Sequence, residues 1–181
     1  MIQYCNKMKE EKDVLEKAIF QALDRLYKND YYLIENKLHE QCVGFRFGLY
    51  LYEELKHCGY DEYDLDAEYD KNMDRKKWLK SWPKGARPDF ILHKRGDNIP
   101  TNILIIELKK GKRPYVTQRD KLKIQEFMRL PYKYRYGATI LLSPVKPCLK
   151  WIPLMKLCGR IKRNFKRYEK VLPYRVSTFF Y

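Results

Sequence analysis

Three side chains with the chemistry of a cation site stand close together in this 181-residue sequence. Asp89 follows Pro88 at the start of an apolar segment, and Glu107 and Lys109 close the next apolar segment. Residues two apart on a strand point to the same side, so Glu107 and Lys109 share a face. Two carboxylates at one spot repel each other unless a cation joins them, and such hard oxygen ligands favour Mg²⁺ or Mn²⁺.

Two predicted strands, 88–93 and 103–108, must position these side chains. A turn-rich connection around Gly96 joins them, which predicts antiparallel neighbours. The start of the first strand then lies beside the end of the second, and Asp89 lies near Glu107. A metal held there activates a water and neutralises charge on a phosphate. Lys109 is suited to orienting that water or stabilising the same charge.

A solvated strand end and a plain ion pair between Glu107 and Lys109 are the competing interpretations of this pattern. Two observations favour a functional site. Residues 71–181 contain only seven acidic residues, and two of them occupy these positions. Segment 103–108 is apolar apart from Glu107, and burying a carboxylate is costly unless a metal or another cation lies beside it.

A further acid, Glu40, lies on a predicted second helix over 34–57. Its spacing places it on one apolar stripe with Val43, Phe47 and Leu51. Glu40 either joins the site from this stripe, or it lies at the edge and faces water, or it pairs with Arg46 or a strand lysine. Gly44 and Gly48 form a neighbouring ridge at a cost of about 1 kcal/mol each in helix propensity, which indicates that something packs closely there.

The rest of the chain predicts an α/β fold with one mixed sheet between helices. Apolar residues at helical spacing predict a first helix that ends near Asn29 and Asp30, and a later helix with Leu122, Phe127 and Leu130 among its buried positions. The other predicted elements are a strand over 63–69, a basic loop over 71–86, a helix over 117–130, a central strand over 138–142 and a last amphipathic helix over 151–168.

The motif Arg87-Pro88-Asp89, followed by Ile105-Ile106-Glu107-Leu108-Lys109-Lys110, resembles that of the PD-(D/E)xK phosphodiesterase superfamily. The resemblance covers residues 34–143 and implies a restriction-endonuclease-like mixed sheet flanked by helices, with the core order αβββαβ. An extra N-terminal helix and a basic C-terminal helix would complete a single domain over 1–181. The family likeness also implies a Mg²⁺ or Mn²⁺ ion bound by Asp89, Glu107 and the Leu108 carbonyl, often joined by Glu40. In that family a lysine at the Lys109 position works with the attacking water.

The net charge of +15 is unevenly distributed. Residues 1–70 hold 9 Lys and Arg against 16 Asp and Glu, a balance of −7, whereas residues 71–181 hold 29 against 7, a balance of +22. Such an excess predicts a polyanionic partner, and nucleic acid is favoured over an acidic protein or a merely solubilising surface.

Two groups of residues would carry this contact. The first interleaves lysines with tryptophans that can stack on bases, and comprises Lys76, Lys77, Trp78, Trp82 and Lys84. The second lies on the predicted last helix and comprises Lys162, Arg163, Lys166 and Arg167. A solvated face, or an amphipathic helix resting on acidic lipid, is the alternative for the second group.

Several other classes of protein are disfavoured. No uncharged apolar run is long enough to span a membrane, and the N-terminus lacks the apolar core of a secretory signal. The five scattered cysteines are expected to be reduced and mostly buried, in a cytoplasmic protein. His39-Glu40 lacks the second histidine of a zinc protease, because Val43 occupies its place. The acids Asp66 and Glu68 are expected to form an exposed face, with addition to the metal site as the alternative.

These observations favour a cytosolic Mg²⁺- or Mn²⁺-dependent nuclease that acts on DNA. A catalytically inert nuclease-fold module that binds nucleic acid or a partner is the runner-up. A protein-interaction or membrane-surface domain is a third, weaker candidate. A homodimer or a larger complex stays open.

Nucleic-acid binding should weaken steeply with salt, because each neutralised phosphate releases counterions. Replacing Arg163 and Arg167 together by glutamate should flatten the plot of log affinity against log salt by about 1 to 2 units, roughly one for each phosphate contact that is lost. Fluorescence anisotropy with a labelled oligonucleotide measures the slope. Binding that does not respond to salt would show that this segment faces something other than nucleic acid.

Overall fold

The computed structural model describes residues 2–72, 75–82, 85–96, 101–111, 117–153 and 170–171. The helices are α1 (Ile2–Asn29), α2 (Tyr31–Glu35), α3 (Glu40–His57) and α4 (Gln118–Phe127). The strands are β1 (Asp64–Ala67), β2 (Lys71–Asn72), β3 (Arg75–Lys76), β4 (Phe90–His93), β5 (Leu104–Lys110), β6 (Tyr136–Leu142), β7 (Cys148–Trp151) and β8 (Lys170–Val171). The predicted α/β class with a mixed sheet is confirmed.

Six strands form one sheet in the order β1-β4-β5-β6-β7-β8, and β2 and β3 form a separate two-stranded sheet. The predicted antiparallel pair of strands is confirmed by β4 and β5, with Phe90 opposite Ile106. The predicted central strand is β6, which runs parallel to β5 with Leu104 opposite Tyr136. Parallel neighbours need a crossover connection, and α4 provides it.

Alternate residues of β5 face two different hydrophobic layers. Leu104, Ile106 and Leu108 pack with the core of α1 and α3 on one face of the sheet. Ile105 packs on the other face, where α4 contributes Ile124 and Phe127. Because side chains alternate along a strand, Glu107 and Lys109 follow Ile105 onto the α4 face.

The close packing that Gly44 and Gly48 predict is present where α3 lies against the sheet. A Cβ atom on Gly48 would lie only 2.7 Å from Cε1 of Phe90, whereas one on Gly44 would lie 3.4 Å from the nearest atom, Cδ1 of Leu108. The Phe90 ring cannot easily move away, because it is buried and meets Phe47 edge-on at 5.7 Å between ring centroids.

The predicted helix over 34–57 is wrong at its start. It is interrupted between α2 and α3, because Lys37 adopts a left-handed backbone angle (φ 56°) that an α-helix does not contain. α3 then begins at Glu40, after His39, whose Nδ1 accepts a hydrogen bond from the Gln41 N–H at 3.4 Å. The predicted end of the first helix near Asn29 is confirmed.

Other predicted positions also differ from the structure. Leu122 and Leu130 are exposed, although Phe127 is fully buried as predicted. The predicted basic loop contains the short β2–β3 sheet. The prediction of mostly buried thiols is wrong for the cysteines whose side chains are described, since Cys42 is exposed and Cys58 and Cys148 are partly exposed.

The predicted last helix is wrong at its first residue, since Trp151 ends strand β7 and pairs with Ala138. Residues 152 and 153 are not helical either, and the remainder, 154–168, lies outside the described residues. Five residues predicted to bind nucleic acid also lie outside them: Lys84, Lys162, Arg163, Lys166 and Arg167. Within the described ranges, no helix is both long and apolar enough to cross a membrane.

Gly48→Ala should lower the free energy of unfolding by about 1–3 kcal/mol, because the added methyl group overlaps the Phe90 ring. Gly44→Ala on the same helix is the matched control. It should leave stability unchanged or raise it by up to about 1 kcal/mol, the propensity gain of alanine over glycine. Denaturant unfolding measures both, and equal effects of the two substitutions would contradict the close approach of α3 to β4.

Candidate functional site

Asp89 stands immediately before β4 and is partly buried at the edge of the sheet. Its Oδ2 accepts a hydrogen bond from the Leu108 N–H at 2.6 Å. Burial raises the pKa of Asp89, although this hydrogen bond and the charge of Lys109 act against the rise. The N–H and C=O groups of one strand residue point to the same side, so the Leu108 carbonyl also faces the Asp89 side of β5.

Glu107 lies on β5, and only 2% of its side chain is exposed on the face that α4 covers. Its Oε1 is 2.6 Å from Nζ of Lys123, the distance of an ion pair. This oxygen is buried, and the Lys123 ammonium group is its close polar neighbour among the described residues. Burial, and then the negative charge of Asp89, raise the pKa of Glu107 to about 7, against the opposing charges of Lys123 and Lys109.

Lys109 lies on the same face as Glu107 and is one-third exposed. Its Nζ is 3.9 Å from Oε2 of Glu107 and 3.7 Å from Oδ1 of Asp120. Burial lowers the pKa of Lys109, but the charges of Glu107 and Asp89 outweigh burial, and the pKa is raised. The structure therefore brings Asp89, Glu107 and Lys109 together, as the strand pattern predicts.

Helix α4 adds two charged residues that the sequence analysis missed, Asp120 and Lys123. Asp120 completes a capping box with Thr117 at the start of α4, and its Oδ1 faces Lys109. Lys123 Nζ also donates to the Arg87 carbonyl at 2.6 Å. The spacing of Asp120, Lys123 and Phe127 along the predicted helix was a usable signal, because it places both charges on the side that faces the sheet.

Gly137 in β6 allows α4 to come this close. A Cβ atom on Gly137 would overlap Cγ2 of Ile124 and would lie 2.8 Å from Sδ of Met128. The helix rests directly on the strand backbone at this point. Its first turn and Lys123 are consequently held within reach of the acids on β5.

Glu40, the predicted fourth acid, begins α3 and is partly exposed. Its charge contributes to the raised pKa of Lys109, so it lies at the rim of the site. Lys110 Nζ donates to the Leu38 carbonyl, which holds the start of α3 beside the end of β5. Arg46, one predicted alternative partner of Glu40, pairs instead with Asp30 at 3.0 Å.

The residues around Glu107 fit a hard divalent cation. Two carboxylates and a main-chain carbonyl are the oxygen ligands that Mg²⁺ and Mn²⁺ prefer, and Glu107 Oε1 is a buried oxygen that already faces a cation, the Lys123 ammonium group. The described residues contain no group of three or more His, Cys, Asp or Glu side chains that could hold a metal. An ion here would have Asp89 and Glu107 as its carboxylate ligands and would complete its shell with main-chain oxygen and water.

The acids on and after β1 have different partners. The predicted exposed face is wrong for Asp66, which is largely buried and bonds to Nε2 of His93 at 2.9 Å and to Arg95. Burial acts to raise the pKa of Asp66, but these two bonds hold it well below its usual range. Glu68 is exposed and pairs with Arg87 at 3.2 Å, and its charge reaches Asp89.

The structure describes part of the surface that is predicted to bind nucleic acid. Lys76 is exposed, and Trp78 is 56% exposed. The Tyr132 hydroxyl accepts a hydrogen bond from the Trp78 N–H at 2.7 Å and donates one to the Trp78 carbonyl at 2.8 Å, which fixes the backbone there. Arg119, at the start of α4, lies 5.5 Å from the ring centroid of the partly buried Trp82. The prediction that Lys77 contacts nucleic acid is wrong, because Lys77 is only 2% exposed and donates to the Tyr69 carbonyl at 3.2 Å.

No protein-family model matches the sequence, and no curated protein matches it. A search of solved structures found a chain described as "Crystal structure of SSO0001". It is 16% identical, with a TM-score of 0.33, and the match covers 84% of this chain and 79% of the other. A likeness this weak carries no argument about fold or function.

The buried Glu107 carboxyl should make stability depend on pH. Its pKa is raised from 4.5 to about 7, so the folded protein holds this proton more tightly than the unfolded chain does. The stabilisation is therefore full below pH 4.5 and is lost as the pH rises through 7. Between pH 5 and pH 8 the unsubstituted protein should lose on the order of 2 kcal/mol of unfolding free energy relative to Glu107→Gln, which cannot titrate at this position.

Denaturant unfolding at the two pH values, without divalent ions, measures this shift. Glu10→Gln removes the same charge from an exposed position on α1 and serves as the control. If the difference in free energy of unfolding between Glu107→Gln and the unsubstituted protein stays constant with pH, burial does not raise the pKa of Glu107.

Proposed function

We propose that this chain is a Mg²⁺- or Mn²⁺-dependent nuclease of the PD-(D/E)xK type that hydrolyses phosphodiester bonds in DNA. The observation that carries the proposal is the Glu107 carboxyl, 2% exposed inside the sheet, beside the carboxyl of Asp89. A protein gains no stability from two acids in such a position. Paired carboxylates that are costly to the fold are typical of catalytic sites.

Each residue of the group has a part in this chemistry. Asp89, Glu107 and the Leu108 carbonyl would hold the ion, which when bound supplies a Lewis acid and a water of lowered pKa. Lys109 remains charged, because its neighbours raise its pKa. It is partly exposed beside Glu107 and can orient the attacking water or stabilise charge on the phosphate. Glu40 and Glu68 lie at the rim and act through their charge.

The arrangement of elements supports the same class. From α3 onward the chain runs α3, β1, β4, β5, α4 and β6, with the β2–β3 sheet inserted after β1. This order is similar to the αβββαβ core of restriction-endonuclease-like proteins. The acids stand where the start of β4 lies beside the second half of β5, which is where that family carries its motif.

The substrate class follows from charge and aromatic surface. Residues 71–181 carry a net charge of +22. The ring of Trp78 is exposed, and its backbone is held by hydrogen bonds to Tyr132. Trp82 lies against Arg119, the residue next to Asp120 in α4. Such rings stack on bases, and the surrounding cations contact phosphates.

A catalytically inert nuclease-fold module is the second candidate. It is favoured by one observation: Lys123 and Lys109 already neutralise Glu107 without a metal. In that case Asp89, Glu107 and the two lysines form an ion-pair cluster, and the basic surface binds nucleic acid without cutting it.

Cleavage separates the two candidates. Asp89→Ala and Glu107→Ala should each lower Mg²⁺-dependent cleavage of DNA at least about a hundredfold. Binding of DNA should survive or tighten, because each carboxylate repels phosphate until a cation neutralises it. Lys109→Ala should slow cleavage about a hundredfold while the affinity for metal is retained. Single-turnover assays on labelled substrates, together with anisotropy, measure both properties.

Asp61→Asn, an exposed carboxylate substitution, should cleave like the unsubstituted protein. The substrates should include duplex, single-stranded and branched DNA and the corresponding RNA, each with Mg²⁺ and with Mn²⁺. Absence of cleavage on all of them, with binding intact, would overturn the nuclease and favour the inert module.

A further inference from the structure

Lys123 projects from α4 to Oε1 of Glu107, a buried oxygen of the site. Its Nζ is 2.6 Å from Glu107 Oε1, closer than the 3.9 Å from Lys109 Nζ to Oε2 of the same carboxylate. The Lys123 side chain is only 15% exposed. It therefore lies inside the site, against the oxygen that an ion bound through Oε1 of Glu107 would use.

A divalent cation and an ammonium group cannot both lie against one carboxylate oxygen, because their charges repel strongly at such a distance. Lys123 has a second partner, the Arg87 carbonyl, at 2.6 Å. Its flexible four-carbon stem allows the ammonium to leave Glu107 while α4 stays in place against Gly137. The helix does not need to move for the exchange to occur.

We propose that Lys123 is an internal competitor of the metal: its ammonium group occupies the Glu107 carboxylate in the metal-free protein and is displaced when a divalent ion binds. The inference rests on the proposed metal site at Asp89 and Glu107. Lys123 is then a positioning residue that sets the metal affinity. It stabilises the site without metal and opposes metal binding by the same contact.

Isothermal titration with Mn²⁺ tests the competition on the full chain. Lys123→Gln should bind Mn²⁺ about tenfold more tightly than the unsubstituted protein, within the usual range of coupling between two sites. Lys109→Gln removes the same charge from a position farther from Glu107, 3.9 Å from Oε2 instead of 2.6 Å from Oε1, and should tighten binding clearly less. Lys121→Gln, two residues away on α4, is the matched control and should leave the affinity unchanged.

The metal-free stability should change in the opposite direction. Lys123→Gln should unfold at a lower temperature than the unsubstituted protein without metal, and saturating Mn²⁺ should stabilise it more. This opposition of sign separates competition from a merely structural ion pair, whose loss would weaken the fold and the metal site together.

A second measurement uses the unsubstituted chain and needs no variant to fold. Acetylation by a small amine-reactive reagent, followed by peptide mass spectrometry, reports how accessible each ammonium group is. Saturating Mg²⁺ should raise the acetylation rate of Lys123 severalfold and leave that of Lys121 unchanged. Lys123 reactivity that is equal with and without Mg²⁺ would overturn the displacement.

The outcomes also separate this inference from the function on which it rests. If the unsubstituted protein binds Mn²⁺ and Glu107→Gln abolishes binding, the metal site stands. An unchanged or weaker affinity of Lys123→Gln, or equal tightening by Lys109→Gln, then overturns the competition alone. If neither the unsubstituted protein nor any variant binds Mn²⁺, the proposed metal site fails and the competition fails with it.

Discussion

The position of Glu107 governs the arrangement of the charged residues around it. A carboxylate inside a sheet loses its hydration, and the loss must be offset by nearby positive charge or by a proton. Here both compensations are present, because Lys123 and Lys109 approach the carboxylate and its pKa is raised to about 7. The proximity of Asp89 makes the position more costly still. A fold selected only for stability would place an apolar residue there, as it does at Ile105 on the same face.

The remaining architecture brings groups from separate elements to that carboxylate. β4 delivers Asp89 beside the end of β5 because the two strands are antiparallel. The parallel pairing of β5 with β6 requires a crossover helix, and this helix supplies Asp120 and Lys123. Gly137 sets the distance between helix and sheet. The site is thus a consequence of topology, since none of these elements carries more than two of its charged residues.

Local patterns in the sequence predicted what short-range physics determines. The apolar run over 103–108, the two-residue period of a strand and the turn at Gly96 were enough to place Asp89, Glu107 and Lys109 together. The break at Lys37 was missed, because a lysine in the left-handed region leaves no mark in the apolar periodicity. Lys123 and Asp120 were missed because the packing of α4 over β5 follows from the parallel pairing of β5 with β6, which no local pattern shows. Trp151 was assigned to a helix because an apolar residue before a helical pattern can equally end a strand.

The capping box of α4 has a consequence for how the protein moves. Asp120 accepts the Thr117 N–H at 3.0 Å and also faces Lys109 Nζ at 3.7 Å. Fraying of the first helical turn, the part of a helix that opens most readily, withdraws one negative charge from Lys109 each time it occurs. Opening of this turn would thus change the charge balance at Lys109. Sequence changes at Thr117 would alter this coupling from a residue that contacts neither acid of the motif.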